Sequence, residues 1–197
     1  VDGMFKAWSL FYDNPIQQKL YYGPIQDAVI ERLGTSPGRV LDLGCGTGAL
    51  MDKLPASSVP PFGADISRDM LLQGQEKPGL RGRLVVADGH SLPLADCSID
   101  VITCLISFHF YLEPLKALSE MRRVLAPGGR VYMAALTAFF FESDLLDQSF
   151  KAATQGLFRV YAPSELRTLF EQAGFKTPEH AMVRPFTRLF VAERASV

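Results

Sequence analysis

Short apolar segments alternate with amphipathic stretches along most of the chain. The amphipathic stretches have apolar residues at helical spacing, as in 113–125, where Leu118 and Met121 share a face opposite Lys116. The apolar segments have the length of strands, and several end at a glycine or an acidic residue. This alternation predicts an α/β fold, a doubly wound and mostly parallel Rossmann-like sheet with helices on both faces. The predicted strands are 40–43, 59–65, 83–88, 99–108, 130–136, 175–183 and 186–193.

The N-terminal segment has a different pattern from the rest of the chain. Residues 1–33 are rich in aromatic side chains and have apolar positions at helical spacing. Pro15 and Pro24 divide this segment, and Pro24 is suited to the first turn of a helix. The sequence G-T-S-P-G at 34–38 then leads into the first strand. We therefore expect a helical segment ahead of the sheet.

Composition indicates a folded single domain and narrows the possible partners. Hydrophobic residues make up 48% of the 197 residues and charged residues 21%, which excludes a disordered chain. The net charge of −1 shows no basic excess, so nucleic acid is not predicted as a partner. No apolar run is long enough to cross a bilayer and no signal-like N-terminus is present, so we expect a cytoplasmic protein. The chain begins at Val1, and whether residues precede it stays open, as does the oligomeric state.

The cysteines do not indicate a metal site or a disulfide framework. The chain has three, Cys45, Cys97 and Cys104, and their spacing matches neither pattern. We expect reduced, buried thiols and no bound metal.

The stretch with the clearest chemistry follows the first strand. Gly44, Gly46 and Gly48 alternate with other residues, and a helix-competent stretch, 49–54, comes next. Glycine allows a tight turn and lets a ligand approach the main chain, while a helix start offers unpaired N–H groups. Strand, glycine turn and helix in this order predict a loop that binds a nucleotide or a similar polar ligand.

Two classes of nucleotide loop compete for this stretch. Gly44, Gly46 and Ala49 match the dinucleotide fingerprint G-x-G-x-x-G/A. Asp42, however, lies two residues before the first glycine, and the pattern D-x-G-x-G-x-G resembles the first motif of the class I S-adenosylmethionine-dependent methyltransferases. A carboxylate suits the ammonium group of a methionine and does not suit a diphosphate. The phrase V-L-A-P-G-G-R-V at 124–131 closely resembles a further motif of the same family.

The resemblance extends from Val40 to the C-terminus and is closest to the small type 11 methyltransferase domain. It implies a seven-stranded sheet whose last strand is antiparallel. It also implies S-adenosylmethionine as cofactor, S-adenosylhomocysteine as product and methyl transfer to a small molecule. The expected organisation is one domain over 1–197, with an N-terminal helical lid at 1–38, a cofactor-binding half at 39–136, a substrate cap at 137–162 and a closing helix and strands at 163–197.

The resemblance also assigns cofactor contacts. Asp65 comes 21 positions after Gly44, at the end of the second predicted strand, where a carboxylate meets a ribose diol. Ser67 is the better cap of the following helix, which leaves Asp65 free. Asp88 is expected at the adenine edge, and Tyr12 either covers the cofactor or packs the N-terminal helices. The predicted cofactor-binding residues are Tyr12, Asp42, Gly44, Cys45, Gly46, Gly48, Asp65, Ile66, Asp88, Gly89 and Leu105.

Substrate contacts are expected beyond the fourth and fifth strands. His109 is the candidate general base if the acceptor must lose a proton, and alternatively it only shapes the pocket. Phe140, in the cap, either faces an apolar acceptor or fills the core. His90 is interpreted as a solvated loop histidine. The predicted substrate-binding residues are His109, Tyr111, Phe140 and Tyr161.

Two other functions remain open. A non-catalytic module that binds S-adenosylmethionine would carry the same motifs, and only turnover separates it from an enzyme. A nicotinamide-dependent oxidoreductase would be expected to have a tyrosine and a lysine in Y-x-x-x-K spacing near the fourth and fifth strands. That pair is absent from the sequence there.

Overall fold

The fold is built around one sheet. The computed structural model describes residues 13–35, 37–54, 59–137 and 158–195. Its strands are β1 (Val40–Leu43), β2 (Phe62–Asp65), β3 (Leu84–Val86), β4 (Ile99–Leu105), β5 (Leu125–Leu136), β6 (Glu179–Arg184) and β7 (Thr187–Glu193). They form a seven-stranded sheet in the order β3-β2-β1-β4-β5-β7-β6.

Helices cover the sheet on both sides. The α-helices are α1 (Pro15–Gln17), α2 (Gly23–Leu33), α3 (Ala49–Lys53), α4 (Arg68–Glu76), α5 (Pro114–Val124) and α6 (Pro163–Gln172). A π-helical turn, Gln18–Tyr22, joins α1 to α2, and single 3-10 turns occur at Pro78–Leu80 and Phe108–Phe110. Pro24 lies in the first turn of α2, and Ser67 caps α4 by accepting a hydrogen bond from Met70 N, both as predicted.

The sheet topology confirms the predicted fold class. Strands β3, β2, β1, β4 and β5 are parallel to one another. The last strand, β7, lies between β5 and β6 and is antiparallel to both. Because β1 pairs with β2 on one side and with β4 on the other, the strand order reverses at β1. In doubly wound sheets, ligands bind beyond the carboxyl ends of the strands at such a reversal.

Several strand ends differ from the sequence prediction: β2, β3 and β7 are shorter than predicted, β6 is shifted, and β4 and β5 differ most clearly. Strand β4 ends at Leu105 instead of residue 108, because Ile106 has a positive φ of 53° and turns the chain out of the sheet. Strand β5 begins at Leu125 instead of residue 130, because Leu125 already pairs with Ile99. The Pro-Gly-Gly segment at 127–129, ahead of the predicted strand, is therefore a bulge within β5, where Gly128 has a φ of 75°.

The end of the sheet away from the predicted ligand is closed by an ion pair. Asp100, near the start of β4, accepts hydrogen bonds from the Arg39 guanidinium at 2.8 and 2.9 Å and from the Arg39 backbone N–H at 2.8 Å. This arrangement agrees with a structural role for Asp100.

None of the described helices has the length and apolar character needed to cross a bilayer.

Candidate cofactor and active site

Two cavities lie at the carboxyl ends of the strands around the reversal point. The larger has a volume of about 100 Å³ and is bordered by the ends of β1, β2 and β4 and by the loop after β3. The smaller lies between α2 and the glycine loop, and its walls include Asp42, Cys45 and Leu105. Gly44 lines both cavities. The glycine loop therefore separates two adjoining binding spaces.

The glycine loop takes a shape that other residues would not fit. Gly44 has a φ of 70°, and a Cβ atom there would lie 2.4 Å from Ser107 Oγ. Gly48 has a φ of 73° and would bring a Cβ to 2.4 Å from Leu80 Cδ1. Positive φ and this close packing together require glycine. Cys45 lies between them, and its buried side chain packs with a core cluster that includes Met51 and Leu71.

Asp65 sits at the tip of β2 and faces the larger cavity. Its carboxylate accepts a hydrogen bond from Gly46 N at 2.8 Å and another from Ser67 N at 2.8 Å. Burial raises the pKa of Asp65, and these N–H groups act against that rise. The neighbouring Ile66 side chain is 61% exposed at the same cavity. A fixed carboxylate next to an exposed apolar side chain suits a ribose joined to a flat base.

The loop after β3 supplies another part of the wall of the larger cavity. Asp88 Oδ1 accepts hydrogen bonds from His90 N at 2.9 Å and from His90 Nδ1 at 2.6 Å. These contacts, the backbone one foremost, lower the pKa of Asp88. Glu113 N donates to His90 Nε2 at 3.3 Å, so Nε2 is the unprotonated nitrogen and Nδ1 carries the proton.

His90 is the residue of this wall whose role the sequence interpretation missed. It lines the larger cavity together with Asp88 and Gly89 instead of standing free in solvent. A loop aspartate commonly accepts from the backbone N–H two positions on, so the sequence indicates the bond from His90 N to Asp88 but not the position of the imidazole at the cavity.

Asp42 faces the smaller cavity and is almost fully buried. Thr103 Oγ1 donates to Asp42 Oδ1 at 2.7 Å, and no cationic side chain among the described residues pairs with this carboxylate. Burial, the largest cause, raises the pKa of Asp42 to about 7. A cationic group in the smaller cavity would stabilise the ionised carboxylate.

Tyr111 lines the larger cavity together with Asp88 and Gly89, the predicted adenine contacts. Its ring stacks on Phe108 with the centroids 5.3 Å apart. A Cβ atom on Gly89 would lie 2.4 Å from Tyr111 Cε1, so Gly89 makes room for this ring. A contact between Tyr111 and substrate stays a prediction.

His109 and Tyr161 lie in the packed interior. His109 is 2% exposed, and its ring centroid lies 4.2 Å from that of Phe110 and 4.3 Å from that of Phe158. Its ring nitrogens have no hydrogen-bond partner in the described part of the chain, and burial lowers the pKa of His109 to about 3. Of its two predicted roles, this placement favours shaping the pocket. Tyr161 is fully buried in the main hydrophobic core, where its ring centroid lies 5.5 Å from that of Phe108.

The start of the described chain is fastened to the glycine loop. Thr47 Oγ1, fully buried, donates to Asp13 Oδ1 at 2.7 Å. Lys77 Nζ donates to Thr47 O at 3.1 Å and lies 3.2 Å from Asp13 Oδ2. These contacts hold the residue after Tyr12 beside the loop. Tyr12 and Phe140 themselves lie outside the described residues. Among the described residues, no group of three or more His, Cys, Asp or Glu side chains could hold a metal ion.

Comparison with known proteins finds a matching domain and several methyltransferase relatives. A model of the methyltransferase domain matches residues 41–133. The chain is 38% identical over 131 residues to the malonyl-[acyl-carrier protein] O-methyltransferase of Methylococcus capsulatus, covering 64% of this chain and 48% of that protein. It is 41% identical over 109 residues to the demethylmenaquinone methyltransferase of Thermus thermophilus, covering 53% of this chain and 50% of that protein. The chain thus spans about half the length of these curated relatives.

Solved structures share the fold at low sequence identity. A SAM-dependent methyltransferase from Aquifex aeolicus has a TM-score of 0.74 at 20% identity, with 96% of this chain and 98% of that chain covered. A chain in a complex with the Trm112 methyltransferase activator of Haloferax volcanii has a TM-score of 0.79 at 22% identity, with 98% of both chains covered. At these identities the likeness shows the fold alone. Over the glycine loop and the strands around it, residues 41–133, the chain is similar in sequence to the methyltransferase domain.

Proposed function

We propose that this chain is an enzyme that transfers a methyl group from S-adenosylmethionine to a small-molecule acceptor in the cytoplasm. When bound, the cofactor supplies an electrophilic methyl group on a cationic sulfonium. The observation that carries the proposal is the position of Asp65. Its carboxylate is held at the wall of the larger cavity by the N–H groups of Gly46 and Ser67.

The larger cavity fits the adenosine part of the cofactor. The remaining lone pairs of Asp65 can accept from the two ribose hydroxyls. Ile66 offers an exposed apolar surface for the base. Asp88, which also lines this cavity, can accept from the adenine amino group, since one of its oxygens is already oriented by His90.

The smaller cavity fits the amino-acid part. Asp42 is a buried carboxylate whose pKa is raised to about 7, and it has a hydroxyl partner but no cationic one among the described residues. An ammonium group supplies both the charge and the hydrogen-bond donors that this carboxylate accepts. Gly44, shared by the two cavities, lets an extended ligand pass close to the main chain.

The chain's own residues then act by positioning and by excluding water. Leu105, at the end of β4, lines the smaller cavity and gives it an apolar wall. Holding an acceptor in line with the methyl group supplies much of the catalysis of such a transfer. The segment 137–162 stays proposed as the substrate cap, and Tyr12 stays proposed as a cofactor contact. With its pKa lowered by burial, His109 is a weak base, and we infer that it shapes the pocket by packing against Phe110, which lines the larger cavity.

We infer that the methyl acceptor is a small molecule. One relative is named for O-methylation of a malonyl group on an acyl-carrier protein and the other for methylation of demethylmenaquinone. Neither name describes a nucleic-acid acceptor, which agrees with a chain that lacks a basic excess. The acceptor atom is left to experiment.

The first test is a calorimetric titration of the full chain with S-adenosylmethionine, S-adenosylhomocysteine and NADH. We expect the first two to bind in the micromolar range and NADH not to bind. Asp65→Asn keeps the shape of the side chain and removes its charge, so it should weaken both ligands at least about 10-fold. Asp69→Asn, four positions further on, is the matched control and should leave binding unchanged.

The outcomes separate the functions left open by the sequence. Binding of NADH in place of the sulfonium cofactor would point to a nicotinamide-dependent oxidoreductase. Tight cofactor binding without methyl transfer to any of a panel of small phenols, quinones, acids and amines would favour a non-catalytic binding module. Methyl transfer to one of them, detected by mass spectrometry, is the expected result.

A further inference from the structure

Gln26 is a buried polar side chain with half of its amide unused. It lies on α2 and is 3% exposed. Its Nε2 donates to Gln18 Oε1 at 3.4 Å, while its Oε1 has no hydrogen-bond partner in the part of the chain that the structure describes. A buried carbonyl oxygen without a donor is costly, so its retention calls for a ligand or a structural reason.

The location of Gln26 favours a ligand. Its side chain lines the smaller cavity, whose walls also include Asp42 of β1. The cavity has a volume of about 10 Å³. That volume holds about one water-sized group, which is also the size of an ammonium.

The chemistry of the walls selects the kind of group. Asp42 and Gln26 each offer oxygen acceptors, and the rest of the wall is largely apolar, with side chains such as Ile25, Leu50 and Leu105. The described lining residues include no lysine, arginine or histidine. An anion would therefore find no cationic partner here. A compact cation with several N–H donors would satisfy both acceptors at once.

We propose that Gln26 is a cofactor-binding residue, whose Oε1 accepts a hydrogen bond from the ammonium group of the cofactor's amino-acid part while Asp42 binds the same group from the other side. This inference rests on the proposed function, because it takes the ligand to be S-adenosylmethionine. Gln26 lies outside the matched domain, residues 41–133, so it is a contact that the N-terminal segment adds. Gln26 thereby brings α2 into contact with the amino-acid part of the ligand.

The test compares two ligands that differ at that end. S-adenosylhomocysteine carries the ammonium group, whereas 5′-deoxy-5′-methylthioadenosine has the same nucleoside and no amino-acid part. In calorimetric titrations of the full chain, Gln26→Met should weaken S-adenosylhomocysteine about 10-fold, the usual range for a hydrogen bond to a charged group. The same variant should bind methylthioadenosine as the wild type does.

Two further variants make the result specific. Gln26→Glu keeps an acceptor oxygen and should restore most of the affinity for S-adenosylhomocysteine. Asp27→Asn changes the next residue of α2, whose side chain is 70% exposed, and should alter neither ligand. Thermal unfolding of each variant verifies that the fold is intact, and Met in a largely apolar wall should not lower the unfolding temperature.

Each result bears on a different claim. If Gln26→Met binds S-adenosylhomocysteine as tightly as the wild type, or loses both ligands equally, the role of Gln26 is wrong while the proposed function stands. If the wild-type chain binds neither ligand, the cofactor assignment fails and this inference fails with it. Selective loss of S-adenosylhomocysteine, restored by glutamate, is the outcome that supports it.

Discussion

The Thr103 hydroxyl donates a 2.7 Å hydrogen bond to the Asp42 carboxylate, and the two residues face each other as direct partners on the neighbouring strands β4 and β1. Both side chains are buried. Burial raises the pKa of Asp42 and the charge of Asp65 adds to the rise, whereas the bond from Thr103 opposes it. The resulting pKa of about 7 means that Asp42 changes charge near neutral pH.

Cofactor binding should therefore release a proton. A cation beside Asp42 favours the ionised carboxylate, so the affinity should rise with pH below about 7, where the free protein is protonated, and level off above it. The limit for one such group is about 10-fold per pH unit. Titration in buffers of different ionisation enthalpy measures the protons released at pH 6. Asp42→Asn should abolish the release, and equal heats in all buffers for the wild type would contradict the assignment.

A second prediction concerns the contacts that fasten the N-terminal segment. Thr47→Val keeps the volume of the buried side chain but removes the hydroxyl that donates to Asp13. The free energy of unfolding should fall by about 1 kcal/mol, the usual worth of one hydrogen bond. Loosening of the segment should also speed trypsin cleavage after Lys19. Urea unfolding and timed digestion measure the two effects.

The matched control for this variant breaks a weaker contact nearby. Lys53→Met removes an exposed ion pair with Asp27, whose N–O distance is 3.7 Å. An exposed pair of this kind contributes less than about 1 kcal/mol, so cleavage after Lys19 should not change. Equal effects of the two variants would argue against a special role for Thr47.

The sheet and the glycine loop were predictable because their signals are local. A short apolar run, alternate glycines and a helix start within a dozen residues specify β1, the loop and α3. The position of Asp65 followed from spacing, because the end of β2 lies beside the end of β1 in a parallel sheet. The strand ends were less predictable. Ile106 takes a positive φ that a β-branched residue avoids, and it does so where Ile106 N donates to Ala134 O at 2.8 Å.

The two site residues that sequence reasoning missed depend on distant partners. Gln26 lies on the buried face of α2 with Ile25 and Val29, and helical periodicity shows which face is buried but not that a polar group there meets a cavity. His90 gains its role from Glu113 N, which lies 23 positions further along the chain. Contacts of this range are set by the packing of α5 against the sheet, which no local pattern specifies.

A third prediction concerns the hydrogen bond from His90 Nδ1 to Asp88. His90→Phe keeps a ring beside Tyr111, whose centroid lies 5.4 Å from that of His90, and removes the donor that orients Asp88. We expect about fivefold weaker binding of both S-adenosylhomocysteine and methylthioadenosine, because both contain adenine and one hydrogen bond is weakened. Calorimetry measures the two affinities. Loss of S-adenosylhomocysteine alone would place His90 at the amino-acid end instead.

A fourth prediction separates packing from catalysis at His109. Burial lowers the pKa of this imidazole from 6.5 to about 3, so the folded chain keeps it neutral while the unfolded chain protonates it below pH 6.5. The unfolded state then binds more protons, and the stability that His109 contributes above pH 6.5 is lost as the pH falls towards 3. His109→Leu removes this loss.

The variant should therefore gain stability relative to the wild type as the pH falls. Between pH 8 and pH 5 the gain should be about 2 kcal/mol, because each unit below 6.5 costs the wild type up to about 1.4 kcal/mol. Urea unfolding at the two pH values measures it. If His109 only shapes the pocket, His109→Leu should also transfer methyl groups at a rate within a few-fold of the wild-type rate. A folded His109→Leu chain that binds cofactor normally but transfers methyl groups at least about 100-fold more slowly would instead identify His109 as the general base, since that is the contribution expected of one.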